Sequence, residues 1–358
     1  MSRLRKVAES VRALRDIPAA IGGKATGARA ERVRGSRQFA DGRFHNRAHT
    51  STMAGDLRGV LRDYLFGKQV RKPVGAVPLV GPAEITDTGL HVTWYGHAST
   101  LVELGGARVL FDPVWSDRVS PAQFAGPKRL HQPPHRIEDL PRVDAVVISH
   151  DHYDHLDMAT IRDLVRTQDA PFLVPLGVGA HLDRWRVPAD RIIELDWDEQ
   201  VELGELTITA TPAQHFSGRL FARDRTLWTS WLAKAGGRSV IYTGDSGYFD
   251  GYQAIGERHG PVDVTLVQVG AYGEGWPDIH MTPEQGVATH VDVRGGLMIP
   301  VHWATFVLST HAWAEPADRV WREAKARDVA IAIPRPGERV DVDAPGSIDP
   351  WWQTLGQA

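Results

Sequence analysis

One short run, Ser149-His150-Asp151-His152-Tyr153-Asp154-His155-Leu156-Asp157, sets three histidines and three carboxylates directly after an apolar stretch ending at Ile148. Burying or even crowding so many titratable groups costs free energy unless something binds them. Imidazole and carboxylate together are good ligands for zinc and similar divalent ions. The spacing also has a geometric consequence. If the chain is extended just after the strand, His150 and His152 point to the same side. Asp154 and His155 then lie one turn further on, within reach of a second ion nearby. The same residues as a solvated surface loop would need no partners elsewhere in the chain.

Candidate partners exist, each at the end of an apolar stretch that reads as a strand. His215 follows 206–211, Asp245 follows Val240–Thr243, and His302 follows Leu297–Val301. Taken singly, each suits a cap or a structural role. Together they place polar ligands along one edge of a sheet core, where sites usually gather. The chain has no cysteine. Disulfides and a cysteine nucleophile are therefore excluded, and a metal site must use His, Asp, Glu or water.

The surrounding pattern is of short strands broken by Gly and Pro. Strands are expected at 90–95, 98–104, 107–111, 143–149, 171–175, 206–211, 229–234, 239–243, 263–269 and 296–301. Gly105-Gly106 and Gly236-Gly237 read as hairpin turns. Each leads through a strand to an aspartate, Asp112 and Asp245, which points to two related halves. Helices are expected from Ile161, Leu164 and Val165, with Asp157 as N-cap, and over 316–327. Thr282-Pro283-Glu284-Gln285 carries a capping box with Pro in the first turn. Strand hairpins mixed with helices favour two packed sheets with helices outside.

The organisation predicted is a basic N-terminal extension over 1–80, a catalytic domain over 81–340 and a C-terminal tail over 341–358, with Trp351 and Trp352 packing back. The net charge is -3, yet the first fifty residues carry twelve Lys and Arg against four Asp and Glu. Leu4, Val7, Val11 and Leu14 recur at helical spacing among arginines. That spacing predicts a basic amphipathic helix, either docked on the domain or touching an anionic membrane. Residues 20–50 read as irregular. No apolar run approaches the roughly 20 residues of a membrane span, and no secretory signal is evident. The expected location is cytoplasmic, with peripheral contact at the inner membrane surface through residues 1–20. The remainder of the chain is acidic, so no nucleic-acid partner is expected.

The sequence resembles the metallo-β-lactamase superfamily, and within it the N-acyl-phosphatidylethanolamine-hydrolysing phospholipase D branch. The resemblance covers most of the chain after about residue 90. It rests on Trp94-Tyr95-Gly96-His97-Ala98, on Asp112-Pro113 with Ser120-Pro121-Ala122-Gln123-Phe124-Ala125-Gly126-Pro127-Lys128-Arg129, on the His150–Asp157 run, and on the contexts of His215, Asp245 and His302. It implies an α/β (α+β) fold, a four-layer αββα sandwich of two mixed β-sheets flanked by helices. It implies two divalent metal ions, expected to be Zn2+ with Fe or Mn allowed. One would be held by His150, His152 and His215, the other by Asp154, His155 and His302, with Asp245 bridging.

Such a pair would lower the pKa of a shared water from about 15.7 toward about 7. The implied activity is a phosphodiesterase of phospholipase D type on N-acyl-phosphatidylethanolamine-like phospholipids. A lactonase or β-lactamase-type C–O or C–N hydrolase on the same scaffold is the alternative, and a metal-binding protein without turnover is a third. Asp154 and His280 are the expected catalytic residues. His280, just ahead of the Thr282 helix start, is read as a substrate contact or leaving-group acid, or as a cap. Arg219 reads as a substrate-anion contact or a surface arginine. Asp112 reads as orienting a ligand histidine or capping the turn before Pro113. His97 reads as a structural histidine fixing a turn.

Overall fold

The computed structural model describes residues 16–48, 50–51, 57–220 and 222–355. Two mixed sheets form the body. The first has seven strands in the order Arg339–Asp341, Leu90–Gly96, Ser99–Leu104, Ala107–Phe111, Ala145–Val147, Phe172–Pro175 and Ile192–Leu195. The second has six, in the order Gly295–Val301, Val262–Gln268, Arg238–Tyr242, Ser230–Ala235, Leu206–Thr211 and Gln200–Leu203.

Alternation along each strand decides the layering, because successive side chains face opposite ways. Val109 and Phe111 point into the core shared with the second sheet, while Leu110 between them points into an outer cluster. Ala145 and Val147 likewise face inward, and Val146 and Ile148 outward. The outer cluster is closed by Ile161 and Leu164 of the helix Met158–Thr167 and by Leu182 of Gly179–Arg184. Helices Gly251–His259, Pro283–Asp292 and Glu315–Ala326 cover the second sheet with Ile255, Val287 and Val320. The result is a helix–sheet–sheet–helix sandwich.

Each sheet combines an antiparallel hairpin with parallel strands. Ala107–Phe111 runs parallel to Ala145–Val147, and Arg238–Tyr242 runs parallel to Val262–Gln268 and onward to Gly295–Val301. The carboxyl ends of these strands therefore fall along one edge, the usual place for a site in sheets of this kind. At the opposite side the two Gly-Gly turns meet. A Cβ on Gly105 would lie 2.6 Å from the Gly236 Cα, and one on Gly236 would lie 2.6 Å from the Gly105 Cα. Only glycine permits that approach at the φ of +54° both residues adopt.

The capping signals act as expected. Asp157 accepts from the Ala159 N–H, and Thr282 and Gln285 form the reciprocal box. The expectation of irregular chain over 20–50 is corrected. Residues Gly27–Gly35 are helical, and Phe39–Ala40 pairs with Arg43–Phe44. That helix escapes periodicity because Val33 is its sole buried side chain. The strands Ile192–Leu195, Gln200–Leu203 and Arg339–Asp341 differ from the expected set; they lie at sheet edges and are only three or four residues long, too short for alternation to stand out. Trp351 and Trp352 are buried, and a ladder of stacked indoles runs from Trp94 through Trp303 to Trp351 behind His302. The helix expected from Leu4, Val7, Val11 and Leu14 lies outside the described residues. No helix among the described residues is long and apolar enough to cross a membrane.

Candidate metal centre

The loop after Ala145–Val147 leaves the sheet with its side chains fixed from below by Asp112. This carboxylate ends the neighbouring strand. Its Oδ1 accepts from the Ser149 N–H at 2.7 Å, and its Oδ2 accepts from His155 Nδ1 at 2.6 Å, from Ser149 Oγ and from Tyr242 Oη. With Nδ1 of His155 spent as a donor to Asp112, its Nε2 is the nitrogen turned toward the cluster, where a cation would take the place of a proton. Ser149 Oγ in turn meets His150 Nδ1 at 2.9 Å, so His150 also presents Nε2. His215 gives Nδ1 to the Ile279 carbonyl at 2.9 Å and again leaves Nε2 free.

These nitrogens converge. His150 Nε2 lies 2.7 Å from His152 Nδ1, and His215 Nε2 lies 3.3 Å from the same atom. Two nitrogens each bound to one tetrahedral zinc at about 2.0–2.1 Å sit roughly 3.3 Å apart, so the three form a cage on the scale of one ion. A second group comprises Asp154, His155 and His302, joined by His97. Asp154 Oδ2 lies 3.4 Å from His302 Nε2 and 3.6 Å from His155 Nε2. Asp245 stands between the groups. Its Oδ2 is 3.1 Å from His155 Nε2, 3.9 Å from His150 Nε2 and 3.8 Å from His215 Nε2, and its Oδ1 is 3.2 Å from His302 Nε2.

The donor set fits cations on an independent count. His155 Nε2, His302 Nε2 and Asp245 Oδ1 are buried with no hydrogen-bond partner. Native structures rarely leave such atoms bare unless an ion or water is to satisfy them. The charge pattern agrees. Burial opposes the charged form of Asp245, but His155, His302 and His280 outweigh it and hold the carboxyl well below its usual range. Burial also lowers His155, yet Asp245, Asp154 and Asp112 prevail and raise it well above the ordinary value. Burial dominates at His150 and His215, followed at each by charged neighbours, and both stay well below. One half of the cluster thus offers neutral imidazoles, the other a surplus of negative charge.

The remaining residues read from sequence divide. His280 joins the cluster, with Nε2 3.9 Å from Asp245 Oδ2 and its ring 5.1 Å from that of His215. Burial pushes it down to about 4, so it is neutral at pH 7. Asp112 is placed to orient His155. Arg219 corrects the expectation of a substrate-anion contact. It is 1% exposed, and its guanidinium donates to the carbonyls of Ala20, Asp151 and Leu156 while lying over the Tyr153 ring at 4.0 Å. It clamps the two ends of the ligand loop and has no open face for an anion.

His97 also departs from the reading of a turn-fixing residue alone. It does sit at φ 50°, with its carbonyl accepting from the Trp94 indole and its N–H donating to Thr305 Oγ1. Its ring, however, enters the cluster, with Nε2 3.0 Å from Asp154 Oδ2. Gly96 and His97 are both left-handed, at φ 102° and 50°, a conformation the sequence did not announce. Asn46, whose carboxamide bonds the His215 backbone, gave no signal at all.

Comparison with known proteins agrees with this geometry. The family description "Beta-lactamase superfamily domain" matches residues 107–303. The chain is 46% identical over 351 residues to an uncharacterized protein of Mycobacterium tuberculosis, covering 96% of this chain and 94% of that one. It is 37% identical over 256 residues to N-acyl-phosphatidylethanolamine-hydrolyzing phospholipase D 1 of Caenorhabditis elegans, covering 68% of this chain and 72% of that one. Among solved structures it is similar to Igni18, a metallo hydrolase of Ignicoccus hospitalis, with TM-score 0.55 and 25% identity over 71% of this chain and 98% of that one.

Proposed function

This chain belongs to the metallo-β-lactamase superfamily and is a metal-dependent hydrolase, and we propose that it is a phosphodiesterase of phospholipase D type acting on N-acyl-phosphatidylethanolamine-like phospholipids. The observation that carries the substrate class is the likeness to the nematode phospholipase. The convergent donors support the chemistry. His150, His152 and His215 would hold one divalent cation, Asp154, His155 and His302 the other, with Asp245 shared. Zinc suits the histidine-rich set, and iron or manganese is compatible with a carboxylate bridge. Such cations, when bound, would supply a low-pKa water as nucleophile and would stabilise charge developing on the substrate's oxygens.

The chain's own side chains do the rest. Asp112 fixes the tautomer of His155 by taking its Nδ1 proton in a hydrogen bond. Asp154 is held by His97 as well as by its ligand neighbours. His280, neutral at pH 7, can meet a substrate oxygen as a hydrogen-bond contact; a depressed pKa disfavours a stored proton for the leaving group. Access by a lipid is supported by the segment leading to the site. Tyr64, Phe66, Val70 and Val74 are exposed beside the exposed cations Lys68 and Lys72. Arg71 of the same segment lines a narrow cleft with His97, His302 and Phe306. Apolar side chains among cations suit the surface of an anionic bilayer.

The test is turnover by the purified chain across N-acyl-phosphatidylethanolamine, other phospholipids, bis-p-nitrophenyl phosphate, lactones and nitrocefin. Phosphodiesters should be hydrolysed fastest, with activity lost on chelation and restored by zinc. Preference for a carbonyl substrate would overturn the lipid assignment. One metal equivalent per active chain would overturn the dinuclear arrangement. Flotation with phosphatidylglycerol vesicles should weaken on Phe66→Glu; unchanged flotation would remove the proposed lipid surface.

A further inference from the structure

The loop Pro212–His215 leaves its sheet after Thr211, so the His215 backbone has no ladder partner there. A buried peptide group needs a partner all the same. Asn46 supplies it from far away in sequence. Its Nδ2 donates to the His215 carbonyl at 2.8 Å, and its Oδ1 accepts from the His215 N–H at 3.1 Å. The same Oδ1 accepts from Trp228 Nε1 at 2.8 Å, which holds the carboxamide in place. One side chain thus brackets the backbone of one ligand at both polar atoms, as a neighbouring strand would.

Asn46 belongs to an arm whose other contacts have a common direction. The Gly23 N–H donates to His181 Nδ1 at 2.9 Å. That leaves the His181 proton on Nε2, facing Asp151 Oδ2 at 3.2 Å. Asp151 lies between His150 and His152 and also accepts from the Gly218 N–H at 2.6 Å. The contact is close. Gly22 has φ +97°, and a Cβ there would lie 2.0 Å from His181 Nδ1. The Ala20 carbonyl accepts from Arg219, the clamp on the same loop. The Ser51 N–H donates to Asp278 Oδ2 at 3.0 Å, beside the Ile279 carbonyl that fixes the His215 ring. These contacts reach the supports of His150, His152 and His215.

We propose that Asn46 is a positioning residue of the metal centre, and that the arm formed by residues 18–48 and 50–51 is a built part of the three-histidine half of the site. The proposal rests on the reading of His150, His152 and His215 as ligands. Loosening the arm weakens one cation and spares the other, because His155 is held from within the sandwich by Asp112, which is itself held by Tyr242.

The experiment uses the full chain, stripped with a chelator and titrated with zinc in competition with a chromophoric chelator. Wild type should bind two equivalents. In Asn46→Ala one equivalent should weaken about 10–100-fold, the scale for losing a partner that orients a ligand, with the other within about twofold. Asn46→Asp keeps the acceptor oxygen toward the His215 N–H and Trp228, and sets a carboxylate oxygen against the His215 carbonyl in place of the donor. It should fold as wild type by circular dichroism and show the same split, which guards against a general loss of structure. Arg47→Ala, which breaks an exposed pair with Asp198 on the same arm, should leave both equivalents unchanged. Two unaltered equivalents in both Asn46 variants, or equal weakening of both, would sink the proposal and leave the site reading standing. A wild-type chain that binds no divalent cation would remove the site reading itself, and this proposal with it.

Discussion

Replacing Asp112 by Asn keeps the shape of the side chain and exchanges one acceptor oxygen for an NH2 donor. Asp112 Oδ2 receives three donors: His155 Nδ1–H, Ser149 Oγ–H and Tyr242 Oη–H. An amide in that place either turns its NH2 toward those donors or turns it toward the Ser149 N–H, which now donates to Oδ1. Both choices set donor against donor. Hydroxyls can rotate away, but an imidazole can only move its proton. The relief available is the other tautomer of His155, with the proton on Nε2, the atom 3.1 Å from Asp245 Oδ2. A protonated Nε2 cannot bind a cation.

The loss of even two bonds to a charged acceptor costs about 3–6 kcal/mol, and loss of an orienting carboxylate lowers metal affinity about 10–100-fold. Asp112→Asn is therefore expected to unfold at lower urea concentration and to bind the cation of the Asp154–His155–His302 group at least tenfold more weakly. Zinc titration of the stripped protein and urea unfolding followed by tryptophan fluorescence provide both numbers. A variant with wild-type zinc affinity at both equivalents would refute the tautomer argument, even if it were less stable.

Arg219→Met should lower stability by at least about 3 kcal/mol, since three carbonyls lose a charged donor; an unchanged urea midpoint with a raised KM would restore the substrate-contact reading. Gly105→Ala should cost about 2 kcal/mol or more from the clash with Gly236 and Ala235. Gly237→Ala, with φ +74° but no atom within 4 Å of the added carbon, should cost only the backbone strain of about 1 kcal/mol. Equal thermal shifts for the two variants would discount the packing. Burial holds His290 down to about 4, beside Thr265 at 2.7 Å. The unfolded chain, with its histidine near 6.5, therefore binds more protons between pH 6.5 and 4, and stability falls as pH drops through that window, by up to about 3 kcal/mol from this group. His290→Gln should flatten the slope of urea stability against pH there; His131, also held near 4 by burial first of all, keeps it from vanishing. An identical slope would count against it.

What could be read from the amino-acid order was whatever is encoded locally. Strand alternation at Val109, Leu110 and Phe111 states which face is inward. The capping box at Thr282 states where a helix begins. The His150–His155 run declares metal chemistry because its ligands are neighbours in the chain, and His215, Asp245 and His302 were legible because each follows an apolar strand within a few residues. The layout of the two Gly-Gly turns was visible too, though their mutual contact was not.

The fold alone decided roles that depend on a distant partner. Arg219 carries the same charge whether it faces solvent or three carbonyls, so its residue type did not distinguish a substrate contact from a clamp. His97 looked like a turn residue until the sheet edge brought Asp154 to its ring. Asn46, in a segment with almost no apolar periodicity, acquires its task only when His215 arrives without a ladder partner. Residue chemistry and spacing are properties of neighbours along the chain; convergence, burial and hydrogen-bond partnership are set by the packed fold, which brings Asn46 and His215 together across 169 positions of sequence.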